Sequence, residues 1–314
     1  MGSDAHDGRF RPSLATYRRI ALVALGLLCA IVVSGAAVRL TGSGLGCSDW
    51  PNCEPGQFIE VGDPNQAIEQ VNRLFTGLVS LGVAAAVLGA VRLRPRRPDL
   101  VALAWGLVAG VVGQIVLGGI TVLVDLHPAA VAGHFLLSMI LVVDATVLVW
   151  RAGGPPGRPV AVVDRSEVHL GWVAMAAGAL VLAVTGPLLT GSGPHAGDAA
   201  APRFGVAITD AARIHSLSAW AFCALVVVLL VRLHRLGAPA GVLRRGRVLL
   251  GVIVAQGAIG YLQYDLGIPA WLVIAHIGGA TAVAIAATWF HVGLFAVGAR
   301  RAAPQPAGAA SRPT

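Results

Sequence analysis

The segment "GQIVLGGITVLVDLHPAAVAGHF", Gly113–Phe135, is an apolar run, a short turn ending in proline, and a second apolar run with an early histidine. The same order returns in "AQGAIGYLQYDLGIP", Ala255–Pro269, followed by "WLVIAHI". Gln114 aligns with Gln256, Gly118 with Gly260 and His134 with His276, all at one offset. Farther out, "LTGSG" ends an apolar run at Leu40–Gly44 and again at Leu189–Gly193, at a somewhat longer offset, so the loops between must differ. Small residues pack membrane helices closely and account for many of the 40 glycines. A constant offset across Gln, Gly and His indicates instead a duplicated unit. With an even number of helices per unit, both copies sit the same way up, about a pseudo-two-fold axis along the membrane normal.

Composition agrees. The chain is 56% hydrophobic and 12% charged, with a mean hydropathy of +0.76, whereas soluble domains carry about 25% charged residues. Eight apolar runs lie near Ile20–Leu40, Ala67–Val91, Leu100–Leu123, Ala129–Trp150, Val168–Leu189, Asp210–Val231, Val248–Leu266 and Ala270–Val297. Each offers the roughly 20 residues a spanning helix needs. The expected fold is an all-α polytopic membrane protein, its eight transmembrane helices forming two pseudo-symmetric four-helix bundles. Residues 1–17 read as a tail, 18–151 and 166–299 as the two halves, 152–165 as a linker and 300–314 as a disordered tail. The first run exceeds the 7–15 apolar residues of a signal peptide, so it reads as a retained helix.

All basic residues are Arg, and the formal net charge is +8. Nineteen of the 23 lie between Arg9 and Arg19, in the segments 92–97, 151–165 and 232–247, and in the C-terminal tail. In an eight-helix topology these share one side, while Asp49, Glu54, Asp63, Asp125, Asp198 and Asp265 fall on the other. By the positive-inside rule both termini are cytoplasmic. The basic excess is thus an orientation signal beside the lipid bilayer, and nucleic acid is excluded as a partner.

Polar residues inside a bilayer default to functional hypotheses. The second run holds Glu69, Asn72 and Arg73, the sixth Asp210, Arg213 and His215, and the fourth and eighth His134 and His276. Asn72 and His215 are nearly repeat-related, so each half offers two polar positions, each about 8–9 Å below the outer boundary at 1.5 Å per residue. Paired histidines on facing helices of a bundle hold a haem edge-on; His215 and His276 form such a pair. Arg73 and Arg213 could meet haem propionates, or Arg73 could make an i,i+4 pair with Glu69. Glu69, one turn from Asn72, is placed to take a proton or direct water near iron. Asp144 has no repeat match and stays unassigned, and His195 is a candidate cap over the second pocket. Cys47 and Cys53 frame "CSDWPNC" in the first external loop, where an oxidising compartment allows a disulfide; Cys29 and Cys223 read as apolar fillers.

Together, "GAAVRLTGSGLGCSDWP", "EQVNR", "GQIVLGGITVLVDLHPAAVAGHF", "LLTGSGPHAGD", "RIHSLSAW" and "AHI" resemble the bacterial haem A synthase family over about Arg18 to Val297. That resemblance implies oxidation of the C8 methyl of haem O, the substrate, to the formyl group of haem A for cytochrome c oxidase. It implies a haem b cofactor ligated by His215 and His276, a substrate haem at His134, an essential Glu69, and a Cys47–Cys53 pair similar to a redox-active disulfide in some members. It implies haem O synthase and oxidase assembly proteins as partners and the cell membrane as location; a homo-oligomer is compatible with it. Asn72 departs from the family, where many relatives have a fourth histidine, and a second external cysteine pair is lacking. An amide ligates ferric iron poorly, so His134 alone is expected to hold the substrate haem, leaving its other face open. The competing reading is a non-catalytic membrane b-type cytochrome; a transporter fits the duplication but not the histidine pairs.

Overall fold

The computed structural model describes residues 11–59 and 61–297. Residues 1–10 of the expected first tail and all of 300–314 lie outside them. Among the described residues there are eight long helices: α1 (Leu14–Leu40), α2 (Pro64–Arg92), α3 (Pro98–Leu123), α4 (Pro128–Ala152), α5 (Arg165–Ser192), α6 (Ile208–Arg235), α7 (Ala240–Asp265) and α8 (Ala270–Val292).

Their starts follow local chemistry. The Ser13 side chain caps α1 by accepting from Thr16 N–H. Asp63 and Gln66 form a reciprocal capping box at α2, with Pro64 in the first turn, where its missing N–H costs nothing. Pro98 and Pro128 open α3 and α4 in the same way. α5 is regular only to Leu180 and then widens into a π-helical turn, Val181–Thr185, before finishing as Gly186–Ser192. Such turns occur mostly as single insertions at functional sites.

Seven of the eight helices are long and apolar enough to cross a membrane. The other is α7, whose first two turns carry Arg244, Arg245 and Arg247 and whose second half carries Gln256 and Gln263. Large apolar side chains such as Leu81, Trp105, Leu217 and Trp271 stand exposed on the helix surfaces. Exposed apolar area on that scale marks a surface in contact with something other than water. The chain is a multi-pass helical membrane protein.

The apolar interior divides along the sequence. One cluster joins α1 to α4 through Tyr17, Leu28, Val83, Leu100, Leu107 and Leu148. The other joins α5 to α8 through Phe222, Val226, Leu229, Leu249 and Phe290. Within each group, successive helices pack together and the last returns to the first; between the groups, α8 packs on α1 and α4, and α4 touches α5.

The duplication extends to individual hydrogen bonds. In the α3–α4 turn, Leu126 N–H donates to Thr121 O (2.9 Å); in the α7–α8 turn, Ile268 N–H donates to Gln263 O (2.8 Å). Both turns need two successive residues with positive φ, Asp125 and Leu126 in one, Gly267 and Ile268 in the other. At the end holding these turns, the two "LTGSG" copies meet: Arg39, just before the first, donates to Thr190 O of the second (2.8 Å). At the opposite end, Asp99 bridges Arg97 and Arg151 (2.8 and 2.6 Å), and the fully buried Glu167 pairs with Arg232 (2.6 Å).

Four boundaries depart from the apolar runs. α1 begins at Leu14 and α7 at Ala240, because helices continue into their arginine-bearing ends where apolar counting stops. α5 is interrupted by its π-turn. α8 stops at Val292, and Phe295–Val297 forms a strand pairing antiparallel with Pro159–Ala161. The stretch expected as a bare linker therefore contains half of a two-stranded sheet, the exception to an otherwise all-helical fold.

Candidate functional site

α6 and α8 bring His215 and His276 opposite each other, edge to face, with ring centroids 6.2 Å apart and planes inclined by 70°. Metal–imidazole bonds are about 2 Å long, so two rings on opposite sides of one ion have centroids roughly 6 Å apart. The observed spacing fits an ion between them. His215 Nδ1 bonds Thr185 Oγ1 (3.1 Å), which also bonds Ser218 Oγ (3.0 Å). Thr185 is the last residue of the π-turn, so that distortion sets the hydroxyl against the imidazole. His276 Nδ1 is buried without a partner. Gly260 makes room for the ring: a Cβ there would lie 3.0 Å from His276 Cε1. Gln256 Nε2 donates to His276 O (2.8 Å).

Among the described residues, no group of three or more His, Cys, Asp or Glu side chains could hold a metal ion. Two imidazoles supply only axial ligation, which is what an iron already held by a macrocycle requires. Haem therefore fits the donor set.

The N-terminal half repeats part of this device. Gln114 Nε2 donates to His134 O (3.0 Å), a Cβ on Gly118 would lie 3.4 Å from His134 Cε1, and His134 Nδ1 is buried without a partner. The position across from the histidine differs. Asn72 Oδ1 accepts from Ser34 Oγ (2.8 Å), so an amide held by α1 stands where His215 stands in the other half. The four positions lie six to eight residues from their helix starts, roughly 9–12 Å along the axis.

Above this half sits the first loop. Cys47 and Cys53 form a disulfide and are fully buried. Cys47 N–H donates to Glu69 Oε2 (2.9 Å), and Arg73 Nη2 donates to Glu69 Oε1 (2.6 Å). Arg73 Nη1 reaches the loop carbonyls of Asp49 (3.1 Å) and Asn52 (3.0 Å). Of the two readings of Arg73, the i,i+4 pair with Glu69 is formed. The carboxylate is thus buried and aimed by donors from the disulfide loop and from its own helix; Trp50 of that loop packs on Gly119 of α3.

The chain was compared with known proteins. Residues 18–63 and 59–288 match the COX15-CtaA family, described as cytochrome oxidase assembly protein. The chain belongs to this family. It is also 30% identical over 125 residues to Heme A synthase of Bacillus pumilus, covering 39% of this chain and 40% of that protein. A second relative, Protoheme IX farnesyltransferase of Chloroflexus aurantiacus, is 30% identical over 181 residues, covering 53% of this chain and 30% of that protein. The chain thus spans well under half the length of these curated relatives.

Within this cytochrome oxidase assembly family member, other candidates fall elsewhere. Arg213 is exposed and makes only a loose pair with Asp210 (3.7 Å). His195 Nε2 bonds Ile268 O (2.9 Å), tying the α5–α6 loop to the α7–α8 turn. Asp144 packs against Gly106 of α3. Sequence reasoning missed Thr185 and Ser34, which bond His215 and Asn72. Hydroxyls inside apolar runs were the available signal, but helical residues such as Thr121, Thr146 and Thr288 merely bond their own i−4 carbonyls. Gln114 and Gln256 were visible as repeat matches; their role was not.

Proposed function

We propose that the chain is a haem A synthase that oxidises the C8 methyl of haem O to a formyl group by successive hydroxylations. One arrangement carries the reading: a closed histidine pair in one half, and a single histidine beside a buried carboxylate in the other. His215 and His276 would hold a haem b that serves electron transfer. His134 would ligate the substrate haem, with Asn72 leaving its opposite face open. Glu69, held by Cys47 N–H and Arg73, would accept a proton or orient water at that open face. The family match and the similarity to a protein named Heme A synthase support the activity.

In this reading all eight helices cross the membrane, α7 included, as two related four-helix bundles. Both termini would be cytoplasmic and the disulfide would face the outer compartment of a bacterial cell membrane. Haem O must come from an enzyme that farnesylates protohaem. A relative with that name resembles this chain over under a third of its length, which supports haem O synthase as a partner; oxidase assembly proteins would receive the product.

The test is haem extraction from cells that supply haem O. The intact protein should yield haem A, and Glu69→Gln should lower that yield by about 100-fold or more while the haem b spectrum is unchanged. Haem A at equal levels in both would remove Glu69 from the chemistry. Two bound haems with no haem A from the intact protein would make the chain an electron-transfer cytochrome instead.

A further inference from the structure

The ligand helices α4 and α8 are gripped at one atom, and it is the same atom in both halves. Gln114 Nε2 donates to the carbonyl of His134, and Gln256 Nε2 donates to the carbonyl of His276. A helix interior carbonyl already accepts an N–H from four residues on, so a second donor at this point is not needed to satisfy the backbone. Of all the carbonyls facing α3 and α7, the glutamines take that of the histidine itself. One turn farther along the same helices, Gly118 and Gly260 leave the space that the two imidazoles fill. Glutamine and glycine at i and i+4 lie on one helix face, so each of α3 and α7 presents a clamp for the main chain and a slot for the ring. Gly279 belongs to the same fit: any Cβ there would collide with Gln256 Oε1.

We infer that Gln114 and Gln256 are positioning residues that set the height and azimuth of the axial imidazoles through the histidine main chain. The inference rests on the haem reading given above. A side-chain amide bonded to the ligand residue removes rotation and sliding of α8 relative to α7, and with it the freedom of the His276 ring plane relative to His215. Orienting partners outside the metal's own ligands commonly change affinity by about 10- to 100-fold. Gln256 therefore governs how firmly and at what angle His276 meets iron, and Gln114 does the same for His134.

The experiment uses the full-length protein purified in detergent. Gln256→Leu removes the amide at similar volume, and Gln256→Glu keeps the length but replaces the donor by a carboxylate. Both are expected to shift the low-spin electron paramagnetic resonance signal and the midpoint potential of the C-terminal haem, and to shed that haem faster on washing. Gln114→Leu should leave those signals unchanged and weaken haem O binding, titrated by absorbance, by about tenfold. Unchanged signal and potential in both Gln256 variants would overturn the inference. If those variants do not accumulate, the Gln114→Leu titration decides alone: unaltered haem O binding overturns it equally. Failure of the underlying haem reading is distinguishable, since the unsubstituted protein would then bind no haem in its C-terminal half.

Discussion

The two halves share the α4/α8 histidine, its glutamine clamp and its glycine slot, and they differ at the position across from it. In the C-terminal half a π-turn in α5 presents Thr185 to His215 Nδ1, and the second imidazole completes a pair. In the N-terminal half α1 runs without such a turn, and Ser34 holds Asn72. Only this half has a disulfide loop pressing a carboxylate into place. The two frames are thus alike, and on the proposed reading one change of residue type at this position separates a site that would keep a haem from one that would act on it.

Restoring the symmetry should have the largest effect. Asn72→His puts an imidazole opposite His134, with Ser34 in the place Thr185 occupies for His215. Iron would gain a second strong ligand in that half. Haem retention there should rise by more than the roughly 10- to 100-fold that outer partners contribute, while haem A output falls because the open face is closed. Absorbance titration and haem extraction read the two effects separately. Retention rising with full activity would mean that the open face is not where the chemistry occurs.

The glycine slots differ in tightness and give a smaller, graded effect. A Cβ at Gly260 would stand 3.0 Å from His276 Cε1, against 3.4 Å between Gly118 and His134. Gly260→Ala must therefore push the imidazole by a few tenths of an ångström, and should loosen the proposed haem b site. Gly118→Ala makes an ordinary contact and should leave haem O binding within about twofold, since the ring need not move. Equal losses in both would show that the slots tolerate less than their geometry implies.

Much of this frame was legible in the chain itself. Hydropathy located the helices because the bilayer demands long apolar runs, and it failed at their arginine-bearing ends, where the helix outlasts the membrane. The repeat exposed His134, His276 and the glutamines because residue type and offset coincide. It could not expose Thr185, whose value depends on a π-turn that shifts the register of α5. Nor could it decide between the two readings of Arg73, because a guanidinium at i+4 from a glutamate serves either role. The loop carbonyls of Asp49 and Asn52 favour the Glu69 pair, and their approach is a tertiary fact.

The smallest expected effect lies in the clamp. Gln114 Nε2 donates one N–H to His134 O and its other to Ser138 Oγ (2.6 Å), and that hydroxyl competes for His134 O (3.1 Å). The repeat-related position is Ala280, so Gln256 serves His276 alone, over a shorter distance. A carbonyl whose two lone pairs are divided among the helix N–H, the amide and the hydroxyl should grip the amide less firmly, and a serine bonded back to its i−4 carbonyl tends to bend the helix that carries it. Ser138→Ala should tighten the N-terminal clamp and slow haem loss from that half by a few-fold at most, in keeping with a single neutral hydrogen bond of about 0.5–1.5 kcal/mol. Ala280→Ser should speed loss of the C-terminal haem by a similar factor. Haem transfer to an excess of a haem-scavenging apoprotein measures both rates, and movement of the two in the same direction would break the link between the divided clamp and the looser site.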